Sequence, residues 1–476
     1  MIPQNTFANK TDGDYTLNRE TELCMEAREY DLTEGSIAKK MLQFFFPIMI
    51  GTLFQQLYNT VDTVVVGNFV GTTALAAVGG STAQIINLMV GFFVGLASGA
   101  MVVISQYYGA GERQRLEDTV HTAVAFCILA GLFLTAVGEI FAPWALRILG
   151  TPEDTIPESL QYMRIYFIGT VPLLLFNVGS GILRAVGDSK RPLYYLIVCC
   201  VLNIILDIVF VTIFHWNVSG VAWATTISLY ISAGLILWNL CTTEAIYRLD
   251  IRKIRMKKEP LKRMLVIGIP TGLQSMLFAL SNTIIQTVVN GFGSKVVAAW
   301  STSGKWDGVF WSISNSFGAT ITAFAGQCFG AGKYDRMHAS VKTCMLIALG
   351  VSAACSVLIL SLAPYGVRLF SQDQEVNGYA VRMLFCFVPY YCVWTLIEIL
   401  SGALHGAGDA VRPTVIVLTG TCVLRVIWCY CIMPLWSTLE SICYCYPITW
   451  FITAVVFVLY YKRSKWLDRC IRTAKI

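Results

Sequence analysis

The sequence predicts an all-α integral membrane protein, with twelve transmembrane helices in two six-helix lobes related by a parallel pseudo-two-fold repeat. Three observations predict it. Of 476 residues, 56% are hydrophobic and only 13% charged, far outside the range of soluble domains. Twelve apolar runs each exceed the roughly 20 residues an α-helix needs to span about 30 Å of hydrocarbon. The chain also repeats itself at a spacing of 221 residues.

The runs fall in order at 41–67, 80–108, 119–143, 160–186, 192–214 and 219–241, then at 263–291, 300–329, 340–364, 377–405, 413–436 and 441–461. The repeat pairs SGILRAVGDSKRP (180–192) with SGALHGAGDAVRP (401–413), and QYYGAGERQRL (106–116) with QCFGAGKYDRM (327–337). Near the start the offset is 223, so that Pro47, Asn59, Val65 and Phe69 recur as Pro270, Asn282, Val288 and Phe292. Six crossings per copy is an even number. The second copy therefore enters the membrane in the same orientation as the first, a duplication about an axis along the membrane normal.

This divides the chain into a mobile cytoplasmic tail (1–35), an N-terminal lobe (36–241), a cytoplasmic linker (242–262), a C-terminal lobe (263–461) and a basic cytoplasmic tail (462–476). The first apolar run begins only at Met41 and is too long for the core of a signal peptide. Placing both termini in the cytoplasm puts Lys39, Lys40, Arg113, Arg115, Lys333, Arg336 and the basic cluster between 248 and 263 inside. Only Arg147, Lys295 and Arg368 are left in the opposite loops. That asymmetry predicts a multi-pass plasma-membrane protein with both ends inside. The net charge of +6 follows from topology and gives no support to nucleic-acid binding.

Sixteen cysteines do not imply a disulfide framework, because most of them, Cys127, Cys199, Cys200, Cys344 and Cys355 among them, lie inside apolar runs, where cysteine behaves as a small hydrophobe. The four histidines are scattered, and no HExxH, Walker A, GxSxG or dinucleotide fingerprint is present. The expectation is that the protein is not an enzyme and holds no cofactor or fixed metal.

Ionisable residues at membrane depth are costly and mark functional sites. In the first crossing, Gln55, Tyr58, Asn59 and Asp62 fall at i, i+3, i+4 and i+7, on one face expected to look into the protein. The fifth crossing carries Asn203 and Asp207 at i and i+4. Asn177 in the fourth and Thr225 in the sixth can complete an oxygen-rich site. Paired carboxyls of this kind can take up a proton near neutral pH or bind Na⁺ through oxygens. Pro47, fifteen residues before Asp62, permits a bend and becomes a candidate hinge. The second copy differs: Asn177 aligns with Glu398, Asn203 with Arg425, and Asp62 with Ile285. A Glu398–Arg425 ion pair is expected there, either clamping helices or binding substrate. The GAG and GD turns read as helix-end punctuation.

LTEGSIAKKML, then FPIMIGTLFQQLYNTVDTVVVGNFVG, the GAG and GD turns and the six-plus-six duplication resemble the MATE (multidrug and toxic compound extrusion) transporters over residues 32 to about 461. The resemblance implies two lobes around a central cavity and export of cationic, amphipathic organic compounds by antiport with H⁺ or Na⁺. In the family's pattern, Asp62, Asn203 and Asp207 match the coupling site, and Pro47 matches the bending proline. Asn177 and Thr225 match less closely. The seventh crossing has no acid and carries Phe278 where some members have glutamate, which points to coupling through the first lobe. A monomer with a small organic substrate is expected. The alternative is a flippase for a lipid-linked sugar or related amphiphile, and an integral membrane enzyme is disfavoured.

Overall fold

The computed structural model describes residues 31–369, 373–436 and 438–474, and the first thirty residues of the expected tail lie outside that set. Among the described residues the structure is helical throughout, with no strand.

The first lobe is built of α1 (Ile37–Val65), α2 (Ser81–Ala110), α3 (Arg113–Ile148), α4, α5 (Lys190–Ile208) and α6 (Asn217–Thr242). Helix α1 runs through Pro47 without a break and continues as a π-helical turn, Val66–Val70, that ends at Gly71 with φ 123°. A short helix, Thr72–Gly79, follows it. Helix α4 is two pieces, Ile156–Ile168 and Thr170–Ala185, bent by 46° at Gly169. Helix α5 also ends in a π-helical turn, Val209–Ile213.

The second lobe repeats the order with α7 (Lys258–Asn290), α8 (Ser294–Gly330), α9 (Tyr334–Gly366), α10, α11 and α12 (Leu439–Arg463). Helix α10 joins Gln374–Phe387 to Tyr391–Gly406 through the 3₁₀ turn Val388–Tyr390. Helix α11, Val411–Ile432, alternates α-helical pieces with π-helical segments at Leu418–Val423 and Trp428–Ile432. A final amphipathic helix, α13 (Trp466–Ala474), buries Trp466 and Cys470.

Among the described residues, ten helices are long and apolar enough to cross a membrane, and the bent α4 makes eleven. The twelfth, α8, has 37 residues but carries Lys295, Lys305 and Asp307 among many Ser, Thr and Gly. Its polarity has a structural cause: one of its faces looks into the interior cavity described below rather than at lipid.

The turn motifs act as the sequence suggests. Gly111 and Gly332 of the GAG turns have φ 70° and 67°, and Gly187 and Gly408 of the GD turns have φ 99° and 95°. These left-handed positions end four helices and suit glycine.

The lobes join at the end of the bundle that carries these turns. Gly95 and Gly99 of α2 meet Gly268 and Gly272 of α7 backbone to backbone, a close approach of the small-xxx-small kind found between membrane helices. The repeat-related contact is different. The positions equivalent to Gly268 and Gly272 are Phe45 and Met49, and Phe45 stacks on Phe317 of α8 with ring centroids 3.9 Å apart. Helix α7 is therefore clamped directly to the opposite lobe, while α1 is held off by side chains.

Two segments expected to be tail and linker are docked. Leu32 N–H donates to Gln327 Oε1 at 3.0 Å, and the Arg336 guanidinium donates to the carbonyls of Leu32, Glu34 and Gly35. The last part of the expected mobile tail is thus pinned to the second lobe. In the linker, Asp250 N–H donates to His121 Nε2 at 3.0 Å, Lys257 N–H donates to Thr122 Oγ1 at 3.2 Å, and Lys257 Nζ lies 2.5 Å from Asp118.

Candidate functional site

Two interior features carry the unusual chemistry. The first is an acidic cluster within the first lobe. Asn203 and Asp207 project from one face of α5 and are almost wholly buried, at 1% and 0% exposure. Asn203 Nδ2 donates to Thr225 Oγ1 of α6 at 3.4 Å. Asp62, on α1, brings its carboxyl against that of Asp207. Tyr58 of α1 and Tyr162 of α4 lie within electrostatic reach of Asp62. Arg164, two residues beyond Tyr162, turns away to Glu139 at 3.5 Å.

Four oxygens in the cluster, Asp62 Oδ1, Asn203 Oδ1 and both carboxylate oxygens of Asp207, are buried with no hydrogen-bond donor. Burying carboxylates without compensation costs several kcal/mol. Positive charge is what the donor set lacks. A proton shared between the carboxyls, or a hard cation such as Na⁺ that prefers oxygen ligands, fits these residues.

The other residues singled out from the sequence lie less close to this cluster. Asn177 Nδ2 turns back along its own helix to Leu173 O at 2.8 Å, and the residue is half-buried. Gln55 and Asn59 are exposed, whereas Tyr58 and Asp62 are half-buried, so the face expected to look inward is divided. At about 100° per residue, Tyr58 and Asp62 sit on one edge of that face and Gln55 and Asn59 on the other. The arc is wider than the seam that the lobe covers. Tyr162 was not singled out from the sequence, since a tyrosine in an apolar run carries no distinguishing signal.

The second feature is a cavity of about 820 Å³, lined mostly by the second lobe, with Ser98, Met101, Val102 and Arg184 contributed by the first. Its wall is aromatic: Trp394 packs edge-on against Trp311 at 4.8 Å and lies 5.8 Å from Trp450 and 6.1 Å from Phe278. Phe278 thus forms part of the cavity's hydrophobic wall. Asp307 accepts from Tyr391 OH at 2.6 Å and Trp311 Nε1 at 2.7 Å. Lys305, two residues earlier, is exposed.

The expected Glu398–Arg425 ion pair does not form. Both residues line the cavity, but among the described residues no ion pair joins them within 4.0 Å. Glu398 lies against the backbone of Gly318, and the Arg425 guanidinium sits over the Tyr446 ring, 4.2 Å from its centroid. The cause is local. Arg425 lies between two π-helical segments of α11, and each shifts the helical phase, so alignment with Asn203 does not transfer to direction.

Two homologous bundles, an interior cavity between them and buried acids without counter-charge define a membrane transporter rather than an enzyme. The MatE family model matches residues 47–209 and 270–431, one match in each lobe. The chain belongs to the MatE family, the MATE transporters. It is 29% identical to the probable multidrug resistance protein YoeA of Bacillus subtilis over 81% of this chain and 84% of that protein. It is 23% identical to the multidrug export protein MepA of Staphylococcus saprophyticus over 84% of this chain and 88% of that protein. The fold matches an outward-facing multidrug resistance MATE family transporter with TM-score 0.85 at 21% identity, covering 93% of this chain and 98% of the other. It also matches a MOP superfamily transporter of Pyrococcus furiosus, whose binding pocket has reversed polarity, with TM-score 0.85 at 22% identity, covering 94% of this chain and 98% of the other.

Proposed function

We propose that the protein is a monomeric multidrug exporter of the cell membrane, moving amphipathic organic compounds with a cationic group outward in exchange for H⁺ or Na⁺. The observation that carries this reading is the set of four buried, donorless oxygens on Asp62, Asn203 and Asp207. A cation entering there neutralises the acids and lets α1 rearrange against α5. Pro47 lets α1 bend as it does so, and the second-lobe cavity releases its contents. The names of the relatives support drug export. The concentration of Lys and Arg in one set of loops supports cytoplasmic termini. In that orientation the glycine-clamped end of the bundle is the cytoplasmic one, and the described state is outward-facing.

The test is ethidium efflux from whole cells under imposed pH and Na⁺ gradients. Asp62→Asn and Asp207→Asn, expressed at normal levels, are expected to lose gradient-driven efflux. Full-rate pumping by either variant would show that the coupling site lies elsewhere.

A further inference from the structure

We propose that the second-lobe cavity contains a subsite for a carboxylate carried by an aromatic substrate, and that Arg425 is the residue that reads it. The proposal rests on the transport reading above and extends its substrates to compounds bearing an anionic group as well as a cationic one.

Arg425 is only 2% exposed, yet it lines the cavity. Its Nε and Nη2 atoms are buried without an acceptor. A buried guanidinium whose N–H groups lack acceptors is expensive, and contact with an aromatic face leaves those N–H groups unsatisfied. Neighbouring acids do not supply the missing acceptor. Asp307 is already occupied by Tyr391 and Trp311, and neither Asp307 nor Glu398 forms an ion pair with Arg425. The face of the guanidinium is taken by Tyr446, which holds its plane and leaves the in-plane N–H fork as the remaining recognition element. A planar fork of this kind matches a carboxylate in both shape and charge.

The surrounding wall defines the rest of the ligand. Trp394 and Trp450 line the same cavity and offer flat apolar surface for a ring system. Glu398, elsewhere on that wall and without a salt-bridge partner, is placed to receive the cationic group. The cavity therefore has the charges of an aromatic zwitterion laid out in reverse.

Two probes that differ only at the anionic group isolate the subsite: 1-pyrenebutyrate and its uncharged amide, each titrated into the full chain in detergent while tryptophan emission is followed. The acid is expected to bind about tenfold or more tightly than the amide, the range expected for a charge-assisted pair. Arg425→Gln should bring the two affinities together, and Arg425→Lys should retain part of the preference. Asp307→Asn, which removes a nearby negative charge, should strengthen binding of the acid several-fold. Equal binding of both probes to the wild-type chain, or a preference that survives Arg425→Gln, would overturn the proposal, and the Asp307→Asn arm decides the matter should the glutamine variant not fold. Ethidium efflux measured alongside separates the two readings: efflux without acid preference sinks the subsite alone, and acid preference without efflux sinks the exporter reading alone.

Discussion

Gln106 and Gln327 occupy equivalent positions in the two repeats and make the same hydrogen bond in opposite directions across the lobe interface. Gln106 Nε2 donates to Gly406 O at 2.9 Å, and Gln327 Nε2 donates to Ala185 O at 2.8 Å. Ala185 and Gly406 are themselves related by the offset of 221. Each side chain is buried, so the pair forms a two-fold latch at the glycine-clamped end. For the lobes to rock apart there, both bonds must break.

Removing one arm of the latch should loosen that end without unfolding either lobe. Gln106→Leu is expected to cost about 1 kcal/mol, more if the abandoned Gly406 carbonyl stays dry. Residue-resolved thiol labelling provides the readout. Cys328, buried beside Gln327, should be modified several-fold faster in the variant, while Cys127 inside the first lobe should be unchanged. An unaltered Cys328 rate would mean the latch does not hold the lobes together.

Steric closure at the same place predicts a sharper effect. A side chain on Gly109 would run into the Gln327 carbonyl, and one on Gly330 would run into the Gln106 carbonyl. Because those obstacles are backbone, Gly109→Ala and Gly330→Ala should each destabilise by about 1–3 kcal/mol. Gly234 of α6 has open space where a Cβ would stand, so Gly234→Ala should be neutral or stabilising by about 0.5–1 kcal/mol. Thermal melts in detergent compare the three.

Asp62 and Asp207 interact directly, so their variants should not be additive. If the two carboxyls bind one cation as a unit, the double variant Asp62→Asn/Asp207→Asn should be no worse in gradient-driven efflux than the poorer single variant. Multiplying losses would instead indicate two independent sites.

A pH effect on stability is expected from Asp188, in the turn between α4 and α5. Its Oδ1 accepts the backbone N–H groups of Lys190 at 3.0 Å and Arg191 at 3.1 Å, which caps α5, and Arg191 Nε lies 3.4 Å from Oδ2. Burial raises its pKa above the ordinary 3.8, with those contacts opposing the shift. The folded chain therefore holds this proton more tightly than the unfolded one. The contribution to stability is greatest below pH 3.8 and falls as pH rises through the raised folded value. Asp188→Asn keeps an acceptor oxygen and should abolish that fall, whereas Asp188→Ala should lose about 1 kcal/mol with the cap. Unfolding midpoints from acid to neutral pH distinguish the outcomes.

Much of this molecule is legible in its sequence because bilayer thickness imposes a helix length and duplication imposes a repeat. The crossings, the pairing of the lobes, the left-handed glycines of the turns and the shared face of Asn203 and Asp207 all follow from spacing along one helix or from comparison of the two copies. Helix α8 escapes a hydropathy test because its polar face borders a cavity, yet its equivalence to α2 through the QCFGAG motif still reveals it.

What the tertiary structure decided are the relationships between helices. Spacing could not show that Arg425 turns to Tyr446 and leaves Glu398 alone, because π-helical segments on both sides of it alter the phase. Nor could it show that Gln55 and Asn59 stay exposed beside a buried Asp207, or that Leu32 to Gly35 fold onto the second lobe. Periodicity fixes angles about a single axis. Which part of that circle is covered, and by what, depends on how closely neighbouring axes approach, and here that was set by glycines on α2 and α7 and by a phenylalanine on α1.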